Sequence, residues 1–250
     1  SILTRWRLAR QNIFAALKPT LYRAWMAEVK TPFRNAYLVN QPDLVKTALV
    51  DRPDDFPKAD VIRRTLYDLL GDSVFVTNGE LWKRQRRMID PAFAGGRLKE
   101  VFPAMLDAAE TCVARLAPLA DGRKVEMEFE TSHAAADVIF RTLFSEPIDT
   151  DDAQAVFHAF RRYQRTAPVL SILDIMNAPR WIPRPGRREA RAEGRAIRAL
   201  LRKYVDKRAA QIENGNAPDD LATKIMTTTD PVTGDRFDAT EMLDQVAIFF

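Results

Sequence analysis

The chain has 250 residues, 46% hydrophobic and 29% charged, a balance that is unlike that of a disordered chain and fits one large domain or two small ones. Basic residues exceed acidic ones by only four, 38 against 34, so composition does not point to nucleic acid. One cysteine excludes an internal disulfide, two histidines leave little for a metal site built by this chain, and no apolar run approaches the ~20 residues of a membrane span.

Helical periodicity dominates. Residues 4–17 read as a helix with Arg5, Arg7 and Arg10 ahead of a short apolar stretch that lacks the length and cleavage site of a signal peptide. This, with the single cysteine, predicts a cytoplasmic protein. Residues 20–30 read as a second helix with Pro19 at its start. Residues 36–39 read as a short strand, 42–50 as a helix and 51–57 as a loop rich in breakers. A helix is predicted over 60–70, ending at Gly71, followed by a loop over 72–76.

Residues 77–93, T-N-G-E-L-W-K-R-Q-R-R-M-I-D-P-A-F, hold the most informative pattern. Thr77 and Glu80 have the spacing of a capping box, and Asp90-Pro91 predicts the helix end. On a wheel, Leu81, Trp82, Gln85, Met88 and Ile89 fall on one side and Lys83, Arg84 and Arg87 on the other. Arg86 lies about 40° from Trp82, one turn on, at the seam. A wide ring beside a guanidinium suits a large flat ligand with a carboxylate rim. The same wheel also fits a surface helix whose Trp is core and whose arginines are solvated.

After Gly95-Gly96 a long helix places Leu98, Val101, Phe102, Met105, Leu106, Ala109, Cys112, Val113 and Leu116 on one stripe, with Pro103 predicted to break or restart it near its first turn. Cys112 reads as a small buried hydrophobe. Val125, Met127 and Phe129 alternate with charged residues, which predicts a strand over 123–130. Helices follow over 131–145 and 150–165, and His133 and His158 read as ordinary helix residues. Pro179, Pro183, Pro185 and Gly186 predict a stiff loop. A long basic helix over 187–213 carries Ile197, Leu201, Tyr204, Val205 and Ile212 as its apolar stripe. A short helix over 218–228 and a turn over 230–235 lead to a last helix opening near Asp238 to Glu241. The sequence stops in mid-helix on Phe249 and Phe250, and the expectation is a longer natural chain. There is no internal repeat, phosphate-binding glycine loop, dinucleotide fingerprint or nucleophile elbow.

Trp82-x-x-x-Arg86 followed by Met88-Ile89-Asp90-Pro91-Ala92-Phe93 resembles the C-helix signature of the cytochrome P-450 heme-thiolate monooxygenases. The order of neighbouring segments is similar too. A strand and a helix precede Arg52-Pro53-x-x-Phe56, as in that family's first sheet and B helix. Asp219-Asp220-Leu221, Asp230-Pro231-x-x-Gly234 and Glu241-Met242-Leu243-Asp244-Gln245 resemble its H helix, the turn after it and the entry to its long I helix.

The resemblance implies a mainly α fold with small β-sheets around heme b, with residues 1–250 as the N-terminal portion of one domain. Trp82 and Arg86 take the role of contacts to the heme propionates. Lys83, Arg84 and Arg87 would face a ferredoxin or flavin-type electron donor, or else form a solvated helix face. Val74, Phe75, Val76, Ala247 and Phe249 resemble substrate-pocket residues, or else pack in the core. The implied reaction inserts one oxygen atom of O2 into an apolar organic substrate. No catalytic residue is assigned within the chain, because the family's acid–alcohol pair, E-x-x-R pair and iron-ligating cysteine are expected after Phe250. Cys112 lacks that cysteine's flanking pattern, and a product truly ending at Phe250 is expected to be inactive. Two other classes stay open. One is a helical binding module using the arginine-rich 180–208 region on phosphates, although Glu189, Glu193 and Asp206 interrupt it. The other is an inactive truncated remnant.

Overall fold

The computed structural model describes residues 19–30, 35–166 and 187–249. The predicted helix over 4–17 and the proline-rich loop at 179–186 lie outside them. The chain divides into two compact units, Ser1–Pro57 with Ile172–Ile182, and Lys58–Ser171 with Pro183–Phe250.

In the first unit the predicted helix over 20–30 is replaced by a 3-10 turn, Pro19–Tyr22, and a strand, β1 (Met26–Lys30). β1 pairs antiparallel with β2 (Asn35–Val39), Met26 opposite Val39 and Lys30 opposite Asn35. Nonlocal bonds set this choice. The Asn40 amide donates to the Leu21 and Ala24 carbonyls at 3.0 and 2.8 Å, and the Trp25 carbonyl accepts from the N–H groups of Asn40 and Gln41. Turn and strand are thereby fixed over a helical propensity that is weak on its own. The helix predicted over 42–50 is α1 (Pro42–Lys46) followed by one wide turn, Thr47–Asp51, in which the Arg52 N–H reaches the Thr47 carbonyl at 2.8 Å.

The second unit is helical: α2 (Asp60–Leu70), α3 (Gly79–Phe93), α4 (Arg97–Leu116), α5 (Met127–Phe144), α6 (Thr150–Thr166), α7 (Arg187–Glu213), α8 (Leu221–Thr227) and α9 (Ala239–Val246), the last followed by a 3-10 turn, Ala247–Phe249. The predicted stripe of α7 forms the centre: Ile197, Leu201 and Val205 are fully buried, and the helix packs on α6, α2 and α9. Gly194 makes the α2 contact close, since a Cβ there would lie 2.8 Å from the Asp68 carbonyl oxygen. Phe140 of α5 meets the Tyr204 ring edge-on at 4.5 Å. Each such buried side chain contributes about 1.5–3 kcal/mol of hydrophobic free energy.

Three further expectations are corrected. There is no strand over 123–130; α5 starts at Met127. Its buried positions, Glu130, His133, Asp137, Phe140, Leu143 and Phe144, do have helical spacing, but the first three are polar. Hydrophobic periodicity is therefore blind to the first half of the buried face. Pro103 does not interrupt α4, because it sits on an exposed face where water can take the place of the lost bond. Nor is the stripe of α4 buried throughout: Phe102, Leu106 and Val113 are exposed, while the covered side is Ala108, buried, with Val101, Met105 and Cys112 half-buried. Among the described residues, no helix is long and apolar enough to cross a membrane.

Candidate cofactor-edge site

The start of α3 differs from the expected capping box. Its N-cap is Asn78, whose side chain makes no capping bond, and Gly79 enters the helix at φ +61°. The Asn78 amide instead clasps the backbone of Lys58, accepting from its N–H and donating to its carbonyl, both at 2.9 Å. Thr77 is buried, its hydroxyl 2.6 Å from Gln85 Oε1. Glu80 pairs with Lys83 at 3.3 Å. The helix also continues through Pro91 to Phe93. An interior proline costs ~3 kcal/mol, and burial of Met88, Ile89 and Ala92 around it offsets that cost.

The clasp delivers the Lys58 ammonium to the seam of α3. Its Nζ donates to the Val74 and Thr77 carbonyls at 3.2 and 2.8 Å and stands 5.0 Å from the centre of the Trp82 ring. Arg86 lies at the same seam. It is exposed, and its partner is Asp90, one turn on at 2.9 Å and equally exposed. Such surface pairs contribute at most about 1 kcal/mol. Burial and the neighbouring Arg86 guanidinium both push the Lys58 ammonium below its ordinary value. The Lys58 ammonium thus stands over the indole with the Arg86 charge acting on it, and an added anion would favour its charged form.

Lys58 was not legible in the sequence. It follows a breaker-rich loop and precedes Trp82 by 24 residues; the Asn78 clasp and the carbonyls of Val74 and Thr77 bring them together.

The donor set is an ammonium, a guanidinium and an indole at the edge of an apolar helix face. It fits the two carboxylates of heme b, the group implied by the resemblance. Among the described residues no three His, Cys, Asp or Glu are grouped to hold a metal ion. Cys112 has an Arg115 nitrogen 3.8 Å from its sulfur. His133 is buried with Nδ1 unpartnered, and desolvation, then the Arg115 charge, push its imidazole below the ordinary value.

On the opposite face of α3, Arg84 binds Glu241 of α9 at 2.6 Å, and Arg87 forks onto the buried Asp230 at 2.7 and 2.9 Å. These pairs fasten α3 to the predicted turn over 230–235 and to α9, where Asp238 and Glu241 do form a capping box. Three arginines of α7 are similarly engaged: Arg191 with Asp68, Arg198 with Asp244 and Arg208 with Asp220.

The five pocket candidates separate. Val76 and Ala247 are in the core, Phe75 is half exposed, and Val74 and Phe249 are half-buried. Phe249 stacks on Phe93 at 6.0 Å and also lines a cavity of ≈ 310 Å³ with Ile139 of α5 and Phe157 and Phe160 of α6. The sequence reading named neither α5 nor α6 as pocket walls.

A family model described as Cytochrome P450 matches residues 8–250. Cyclooctat-9-en-7-ol 5-monooxygenase of Streptomyces melanosporofaciens is 33% identical over 231 residues, covering 90% of this chain and 47% of that protein. The cytokinin hydroxylase of Arabidopsis thaliana is 26% identical over 184 residues, 72% of this chain and 35% of that protein. The crystal structure of a cytochrome P450DA heme domain matches the fold with a TM-score of 0.69 at 20% identity, covering 99% of this chain and 51% of that one. The chain thus spans about half the length, or less, of these relatives. The order of helices, the small sheet and the match over nearly every residue agree, and the chain belongs to the cytochrome P450 family.

Proposed function

We propose that this chain is the N-terminal portion of the domain of a heme-dependent monooxygenase that inserts one oxygen atom of O2 into an apolar organic substrate, and that its α3 seam grips the cofactor's edge. Heme b is the cofactor of the family, and when bound it supplies the O2 chemistry that no side chain of this segment supplies. The observation that carries the reading is the Lys58 ammonium held 5.0 Å from the centre of the Trp82 ring by two backbone carbonyls, with an exposed Arg86 on the next turn of the same helix as Trp82. In their assigned roles Arg86 and Trp82 hold the carboxylates by charged and indole N–H bonds. Lys58 adds a third donor, already oriented by two carbonyls.

Phe249, with Phe157 and Phe160, offers apolar surface toward a substrate; Val74 and Phe75 stay in the proposal as loop contacts, and Val76 and Ala247 as the packing behind them. The Streptomyces relative is named for acting on cyclooctat-9-en-7-ol, which supports an organic substrate without fixing which one. Electrons are proposed to come from a ferredoxin or flavin-type donor in the cytoplasm, docking near Lys83. Arg84 and Arg87 share their charge with Glu241 and Asp230, which lowers their part in steering that donor.

The test is the visible spectrum of the protein expressed from its native gene, reduced and exposed to carbon monoxide. A strongly red-shifted Soret band is expected, from heme iron bound by a cysteine thiolate. No heme band at all in a folded protein overturns the proposal.

A further inference from the structure

Residues 71–77, between α2 and α3, use their backbone in two directions. Two of its N–H groups face α9: Asp72 donates to Asp244 Oδ2 at 2.8 Å, and Val74 donates to Gln245 Oε1 at 3.0 Å. The carbonyls face the seam: those of Val74 and Thr77 accept from Lys58, and that of Asp72 accepts from Gln85 Nε2 at 2.6 Å. What fixes one side of this segment therefore fixes the other.

The α9 side is rigidly built. Asp244 and Gln245 are 7% and 1% exposed. Arg198 donates to Asp244 Oδ1 at 2.6 Å and to the Leu69 carbonyl at 3.2 Å, tying the carboxylate to the end of α2. At Gly71, φ is +54° and a Cβ would stand 2.1 Å from Asp244 Oδ1, so glycine alone lets the carboxylate come this close. Gln245 Nε2 is shut from solvent without a partner among the described residues. An orphaned buried donor costs stability, a cost set against the bond that the same amide accepts from the Val74 N–H. The useful atom of that amide is Oε1, which holds Val74.

We propose that Asp244 and Gln245 are positioning residues for the carboxylate grip. They fix segment 71–77, whose carbonyls hold the Lys58 ammonium over Trp82, and neither needs to touch the cofactor. The inference rests on the reading of Lys58, Trp82 and Arg86 as contacts to the heme carboxylates. It adds that the start of α9 sets the strength of that contact.

A double-mutant cycle on heme release tests it, using the full-length heme-loaded protein and excess apomyoglobin as acceptor. Lys58→Met is expected to speed heme loss about tenfold, the size usual for losing an outer contact of a bound group. Gln245→Leu, which keeps bulk and removes the acceptor, is expected to come within about threefold of that rate, because it acts through the same lysine. The double variant is expected to lose heme no faster than Lys58→Met alone. Gln245→Met carries the same expectation and replaces Gln245→Leu if circular dichroism shows the latter unfolded. Fast loss from Lys58→Met with a parental rate for the 245 variants, or full additivity in the double variant, overturns the positioning role and leaves the grip standing. Parental rates for both Lys58→Met and Arg86→Ala overturn the grip itself.

Discussion

Two arginine-bearing regions of the second unit differ in who answers the charge. Where α5, α7 and α8 meet, Arg208 is almost fully buried and its donors reach Asp220, Thr223 Oγ1 at 2.9 Å, Gln211 Oε1 at 2.8 Å and the Phe144 carbonyl at 2.6 Å. Asp220 in turn caps α8 through the Thr223 N–H and accepts from Ser145, the left-handed residue that ends α5. At the α3 seam, by contrast, Lys58 stands over Trp82 with the Arg86 charge acting on it, and the partner of Arg86, Asp90, is half in water. A cation that the chain satisfies with its own buried groups is part of the fold. Under the proposed function, the seam cations, one over an aromatic ring and the other paired only at the surface, are where an anion from outside would bind.

That contrast can be broken from either side. The largest expected effect is at the buried junction. Arg208→Met leaves Asp220 charged and buried without its partner, and is expected to cost about 3–5 kcal/mol of folding stability, read as a lower urea midpoint. The rate of heme release should stay near parental in conditions where the variant is folded. The reverse pattern is expected at the seam. Arg86→Ala should weaken heme affinity by about 1.5–3 kcal/mol, the value of a hydrogen bond to a charged group, while stability without heme changes by no more than about 0.5 kcal/mol. Titration of the heme-free chain with heme, beside urea unfolding, separates the two. A large loss of stability with unchanged affinity would merge seam and junction into one structural class.

The smallest effect is a pH dependence at His133, which sharpens the comparison by adding a buried group the chain leaves only partly answered. Burial and Arg115 lower its folded-state value, with Asp137 and Glu130 opposing. Because the folded value is depressed below the ordinary 6.5, the unfolded chain takes up the proton first as pH falls. The contribution is therefore complete above about 6.5 and is lost as pH drops below it toward the folded value. Urea midpoints measured from pH 7.5 down to pH 5.5 should fall more steeply in the parent than in His133→Gln.

How much of this the sequence showed depended on whether local pattern and long-range packing agreed. They agree in α7, where an apolar stripe over a basic helix matches the observed span, and at Asp238–Glu241, where the cap forms within four residues. They disagree in β1, which exists because Asn40 and β2 hold it, and at the start of α5, whose buried face is Glu130, His133 and Asp137. At the site, the Trp82–Arg86 spacing is a one-turn relation that a helical wheel captures. Lys58, Asp244 and Gln245 belong to the same constellation only through backbone bonds of residues 72–77, and no periodicity carries that information. The capping box expected at Thr77 fails for the same reason: its hydroxyl is taken by Gln85, which also holds the Asp72 carbonyl.

Gly194 has a consequence for attempts to harden this protein. Alanine for glycine in the middle of a long helix is among the first substitutions an engineer tries, because in an isolated helix it gains about 1 kcal/mol of propensity. Here the added methyl would press on the Asp68 carbonyl at 2.8 Å. What firms α7 as a free peptide would pry it from α2 in the folded chain, so the exchange reverses sign between the two. Gly96 offers no substitute: its φ is negative and a methyl there would meet open space, but it is the N-cap of α4, where glycine is preferred to alanine.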